Sequence, residues 1–249
     1  ASFDGKVYSL PVAGLFLGMY FNKDIFSKYS LEVPTTWTAF LDVCQTLVDN
    51  GEVPIVLPFK ESWAAANFIR PAMSSILYPK KPDFDADIRT GDDKYTNAEM
   101  TEIMEKFMTL KEKGYLIKDA LGISLPQAQT IFANGQGAMY MLGSWELPTL
   151  LGLNPDLKLG MFPMPVTENE DELYATSMME YGISIYTDTE SPEAADAYLE
   201  FLTKPEIYTI FINANAGMST MKDVKATGND VFEIIQEYVN KGKSHRFPQ

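Results

Sequence analysis

Hydrophobic positions change period several times along the chain, and the changes outline alternating strands and helices. From Gly5 to Asn22 the run GKVYSLPVAGLFLGMYFN is β-rich and almost continuously apolar after Pro11. This is the pattern of buried extended chain, with a Pro/Gly break inside it that suits a crossover. Trp37, Phe40, Leu41, Cys44, Leu47 and Val48 then recur at helical spacing, with Thr35 or Thr36 placed to cap and Gly51 just beyond. A short strand over 54–58 follows, then an Ala-rich helical run from Ser62 that Pro71 is expected to kink or end. The charged segment 79–95 reads as a turn-rich loop, before Met100, Ile103, Met104, Phe107 and Leu110 give another helical stripe between Asn97 and Gly114.

The second half repeats the alternation. Ser124 and Pro126 open a helix through Phe132; Ala138 to Leu142 is a short apolar strand; and GSWELP turns directly into a further helix. Leu159 to Met161 and Tyr174 to Tyr186 read as strands, Ser191-Pro192-Glu193 and Pro205 open helices, and Val231 to Val239 forms a last one. Strand–helix alternation of this kind predicts an α/β fold. No internal repeat or low-complexity linker divides it.

Charge and composition narrow the partners. The chain has 249 residues with 34 acidic and 20 basic side chains, a formal charge of -14. Such a field repels phosphate backbones and anionic headgroups, which argues against nucleic acid and membrane surfaces as partners. No stretch approaches the roughly 18 apolar residues a spanning helix needs. Cys44, the single cysteine, lies on a helical apolar stripe and reads as a small core residue; an internal disulfide and a CxxC site are both excluded. Trp37 likewise reads as core.

Catalytic material is scarce. His245 is the only histidine and sits in a basic stretch near the end, where a solvated tail is expected; a His-based triad or zinc site has nothing to build on. There is no GxGxxG after a strand, no GxxxxGK[ST], no GxSxG and no HExxH. The run Asp83 to Asp87 fails as a calcium loop, because Ile88 and Lys94 stand where an EF-hand needs glycine and glutamate. No metal, cofactor or catalytic residue is therefore assigned. A glycosidase needs only two carboxylates, so a carbohydrate-active enzyme stays open as an alternative.

What remains is a set of aromatics at element starts. Trp63 follows a strand end beside Glu61, Trp145 opens a helix after Gly143-Ser144, and Glu180 and Tyr181 sit in a β segment beside Gly182. Ligands in α/β folds lie at the carboxyl ends of strands. Sugar rings offer an apolar C–H face to an indole and polar edges to carboxylates.

The order of motifs resembles the sugar-type extracellular solute-binding proteins of ABC importers, of the maltose-binding-protein-like kind. The elements that carry the resemblance are DGKVYSLPVAGLFLGMYFNKDIF, VPTTWTAFLDVCQTLVDNG, IFANGQGAMYMLGSW, MFPMPVTENED and the SPEAA helix start, in that order along the chain. In the first, Phe21 replaces the tyrosine usual before Asn22.

The resemblance implies a two-lobed Venus-flytrap fold of the class II periplasmic-binding-protein type, one lobe nearly complete and the other partial. On this expectation 1–16 ends the first lobe and crosses the hinge, 17–173 forms the second lobe, 174–215 returns to the first, and 216–249 runs back toward the second lobe or hinge. The chain is expected to be a shortened part of an extracytoplasmic protein, lipid-anchored when full length. Its partners would be a small solute, most simply a carbohydrate, and the permease subunits of an ABC importer. The implied site comprises Trp145, Trp63, Glu61, Glu180, Tyr181 and backbone near Gly14, with a polyamine or peptide as the alternative solute.

Overall fold

The computed structural model describes residues 2–224 and 230–246. In chain order the elements are β1 (Ser2–Phe3), β2 (Lys6–Val7), β3 (Leu10–Asn22), α1 (Lys23–Lys28), α2 (Trp37–Asp49), β4 (Ile55–Val56), α3 (Ala66–Ile76), α4 (Phe84–Thr90) and α5 (Ala98–Glu112). They continue with α6 (Leu125–Ala133), β5 (Met139–Gly143), α7 (Leu147–Leu153), β6 (Leu159–Phe162), β7 (Ala175–Ile183), α8 (Pro192–Leu202), α9 (Pro205–Ala214), α10 (Glu233–Asn240) and β8 (Ser244–Arg246). The fold is α/β.

The long strand β3 organises the main sheet, whose order is β4-β5-β3-β7-β8 with β6 also paired to β3. β5, β6 and β7 all run antiparallel to β3, whereas β4 lies parallel to β5 and β8 parallel to β7. Successive side chains of a strand face opposite sides, and β3 shows it. Met19 and Phe21 join the larger core with α2, α3 and α5, while Phe16 and Tyr20 join a second core with α6, α7 and α10. Cys44 and Trp37 are buried in the first of these.

Local chemistry sets the element ends. Thr36 accepts from the Ala39 amide to start α2, Asn97 from Met100 to start α5, and Asn22 from Asp24 and Ile25 to turn β3 into α1.

Three expectations change. Of kinking or ending the helix at Pro71, ending is excluded: α3 runs from Ala66 to Ile76 through it. Pro71 removes one ladder donor, a local loss that burial of Phe68, Ala72 and Ile76 in the larger core offsets. Part of the expected loop 79–95 is the helix α4, anchored by fully buried Phe84, with acids in its first turn and Gly91 closing it at φ 85. His245 is no solvated tail residue: it sits in β8 opposite Thr176, with its ring 4.7 Å from that of Tyr174 and 6.2 Å from that of Tyr78.

The Pro/Gly break in β3 is a pairing irregularity inside a continuous strand. Pro11 pairs with Gly182, Ala13 with Tyr181 and Gly14 with Met179, which leaves Val12 without an opposite residue on β7 and Glu180 without one on β3. Paired bulges of this kind bend a strand and recur beside functional sites.

Candidate functional site

Pairing direction brings the aromatic candidates to one end of the sheet. β4 and β5 are parallel, Ile55 opposite Met139 and Val56 opposite Tyr140, so both deliver their carboxyl ends to the same edge. Trp63 follows the first of these ends and Trp145 the second. Leu17 lies opposite Gly143, which puts Phe16, Gly14 and the bulged pairing at that edge too, and β7 runs onward past it through Met179 to Ile183. Three parallel strands therefore end or pass there, the arrangement in which α/β folds bind ligands.

Trp63 lies in a 3-10 turn over Ser62–Ala65 and is 45 % exposed, a large apolar surface left to solvent. Glu61 precedes that turn half-buried; its carbonyl accepts from Ala64 and its side chain makes no capping bond. Gly14 is spent on structure: its amide donates to Met218 (3.0 Å) and its carbonyl accepts back from Met218 (2.6 Å). Backbone contact from Gly14 to a solute is therefore dropped. The side chains of Glu180 and Tyr181 lie outside the described residues.

Trp145 sits half-buried in the 3-10 turn Ser144–Glu146 and packs on the second core. Its indole lies directly across Gly143, so closely that a Cβ there would overlap the ring. The turn beneath is held by buried side chains. Tyr20 donates to the carbonyls of Gly143 (3.2 Å) and Ser144 (3.0 Å), and the Ser144 hydroxyl accepts from the Phe16 amide (3.2 Å).

Next to the indole is a buried carboxylate that sequence reasoning missed. Glu146 is 3 % exposed, and its Oε2 accepts from Gln129 Nε2 (2.8 Å) and the Tyr140 hydroxyl (3.2 Å). Burial raises its pKa above the usual carboxylate range, while the hydrogen bonds from Gln129 and Tyr140 pull it back. Burial and the nearby Glu146 charge also push the Tyr140 and Tyr20 hydroxyls well above their ordinary range, so both stay protonated donors. The only signal in the sequence was an acid directly after Trp145 at a helix start.

Asn67, one turn after Trp63, was also missed. It is 1 % exposed, and its Nδ2 finds no partner among the described residues.

A cavity of about 1050 Å³ opens on the Tyr20 side of the sheet, bordered by Phe16, Met218, Phe232 and α10. It adjoins the Trp145 turn through Phe16. Among the described residues no group of three or more His, Cys, Asp or Glu is placed to hold a metal ion, and no helix is long and apolar enough to cross a membrane.

Comparison with known proteins agrees with this architecture. The family model for bacterial extracellular solute-binding proteins matches residues 1–209, and the chain belongs to that family. It is 23 % identical over 240 residues to the multiple sugar-binding protein of Streptococcus mutans, covering 92 % of this chain and 55 % of the relative. It is 20 % identical over 230 residues to the melibiose/raffinose/stachyose-binding protein MelE of Bacillus subtilis, covering 92 % and 53 %. The chain thus spans about half the length of these curated relatives. Among solved structures, the solute-binding protein RafE in complex with raffinose superposes with TM-score 0.84 at 23 % identity, over 98 % of this chain and 64 % of that one. A sugar transporter from Bacillus licheniformis in complex with stachyose gives TM-score 0.81 at 19 % identity, over 99 % and 64 %.

Proposed function

We propose that this protein is the solute-capturing component of an ABC-type importer, working outside the cytoplasm on a sugar or oligosaccharide. What supports this reading is that β4 and β5 are neighbouring parallel strands and that Trp63 and Trp145 follow their carboxyl ends in the chain. Two indoles offer plates for the apolar faces of sugar rings, and Glu61, Glu180 and Tyr181 are the polar groups proposed to meet hydroxyls.

Capture needs no covalent step. Two lobes close on the solute when the closed state contacts it better than the open one, and the closed shape is what a permease recognises. In this proposal 1–16 ends the first lobe and crosses the hinge, 17–173 forms the second lobe, 174–215 returns to the first, and 216–249 runs back toward the second lobe or hinge. The bulge at Val12 and Glu180, neither of which faces a residue on the opposite strand, then falls where β3 and β7 cross the hinge. The family is one of binding proteins, and binding without turnover is the activity proposed.

The test is a thermal-shift panel of raffinose, stachyose, other oligosaccharides and polyamines, run on this chain and on the longest polypeptide that encodes it. A solute at about a hundred times its Kd stabilises by roughly 2.7 kcal/mol, a shift of about 5 to 10 °C. A sugar shift in the longer polypeptide supports the proposal. A shift with polyamines alone, or hydrolysis of aryl glycosides abolished by one carboxylate substitution, would refute it.

A further inference from the structure

We infer that Tyr20 is a positioning residue: its hydroxyl fixes the turn that carries Trp145, and with it the seat of the indole, before any solute arrives. This rests on the proposed role of Trp145 as a sugar plate. Tyr20 lies in β3 directly opposite Tyr140, and β5 ends three residues later at Gly143. The Tyr20 side chain reaches to that end, where its one hydroxyl proton is shared between the carbonyls of Gly143 (3.2 Å) and Ser144 (3.0 Å). These are the two residues immediately before Trp145. Gly143 is also the residue on which the six-membered ring of the indole rests, with no room for a Cβ between them. One residue therefore both receives the hydroxyl and supports the plate.

A second tie comes from the same strand. The pairing of β3 with β5 stops at Leu17 and Gly143, so the amide of Phe16 has no backbone partner on β5; the Ser144 hydroxyl accepts from it instead (3.2 Å). The anchor itself is held by packing. Tyr20 is fully buried, its ring stacked on that of Tyr140 (centroids 6.5 Å) and edge-on to that of Phe232 (6.2 Å). Phenylalanine at this position would keep both ring contacts and spare the core a hydroxyl that is costly to bury. Stability alone is thus a weak reason for a tyrosine, because a buried hydrogen bond replaces one made to water and returns little. What the hydroxyl adds is placement. Without it the Ser144 carbonyl keeps only the Leu147 amide, and the turn loses its tie to β3 beneath Gly143. A sugar ring that settles on a plate already seated has less ordering to pay for in binding.

The test uses the longest encoded polypeptide and two readouts: the Trp145 indole N–H resonance of the free protein, assigned with Trp145→Phe, and the affinity for raffinose and stachyose. In Tyr20→Phe the resonance should broaden or divide, and affinity should fall roughly three- to tenfold, the worth of one buried hydrogen bond. Ser144→Ala, which cuts the other tie, should move both readouts the same way and decides the matter if Tyr20→Phe does not fold. Tyr115→Phe is the control. Tyr115 is buried in the larger core and its hydroxyl donates to Gln45 (2.9 Å), so its loss should lower Tm comparably and leave both readouts alone.

A single, sharp and unmoved indole resonance in Tyr20→Phe overturns the inference, whatever the solute. So does a disturbed indole with affinity unchanged, or a loss of affinity that Tyr115→Phe reproduces. If the parent protein binds neither sugar, the sugar proposal fails instead, and the indole resonance still decides whether Tyr20 holds the turn.

Discussion

Gly143→Ala isolates the contact that seats the Trp145 plate. Gly143 has φ -89 and ψ 166, extended backbone that alanine adopts freely, so the substitution adds no backbone strain. Its entire effect comes from one methyl group placed into the indole. Overpacking of this kind costs about 1–3 kcal/mol. In a chain of this length each kcal/mol moves Tm by about 2–4 °C, so a fall of roughly 2–12 °C is expected. Gly152→Ala is the control: Gly152 lies in α7 with open space around it, and alanine there should stabilise by about 0.5–1 kcal/mol. The decisive measurement is a double-mutant cycle read by denaturant unfolding. With Trp145→Ala in the background the three nearest atoms the methyl would strike are gone, and the cost of Gly143→Ala should fall below about 0.5 kcal/mol. If the two changes are additive, the indole does not lie on Gly143 and the plate has been misplaced.

Two further outcomes follow from buried polar groups. Asn67→Leu removes a donor that has no partner among the described residues, so it should raise Tm by about 2–4 °C for each kcal/mol of relieved desolvation; a lower Tm would show that the amide is satisfied by something essential, such as a bound water. His245 has a pKa lowered by burial, so the unfolded chain, titrating near about 6.5, takes up a proton before the folded one. Folded stability should therefore fall as pH drops below about 6.5 until it passes the lowered folded value, and His245→Phe should abolish that part of the loss. Equal acid sensitivity in both proteins, by urea unfolding at pH 7 and pH 5, would remove His245 as the cause. Glu146, with its pKa raised, contributes the opposite slope and is untouched by this substitution.

The sequence shows its structure best where the determining chemistry is local. The caps of α2 and α5 are visible in it because Thr36 and Asn97 bond amides three residues ahead. α4 was obscured because its acids and Gly91 resemble turn residues, and what decides the matter is burial of Phe84 against distant parts of the chain. The place of His245 is hidden for the same reason, since its partners Tyr78, Tyr174 and Thr176 are supplied by other elements. The plates Trp63 and Trp145 could be named from their places after strand ends. The buried carboxylate of Glu146 could not, because whether an acid beside a tryptophan faces solvent or a half-buried glutamine depends on how α6 packs. Gly14 looked free for a ligand only because its partner, Met218, lies so far along the chain.

The same distinction bears on what kind of ligand the site suits. A field of -14 acts at long range on a cation but leaves a neutral sugar unguided, so sugar recognition must come from contact. Contact with a polyhydroxylated ring is weak when the surface must first be ordered, because each immobilised side chain costs about 0.5–1.5 kcal/mol. The Trp145 turn is ordered in advance by Tyr20, Ser144 and Glu146, all buried. Trp63 is 45 % exposed on a short 3-10 turn that no side chain is seen to hold among the described residues. On the proposed function the two plates therefore have different tasks: Trp145 offers a fixed floor, and Trp63 adjusts to whatever rests on it.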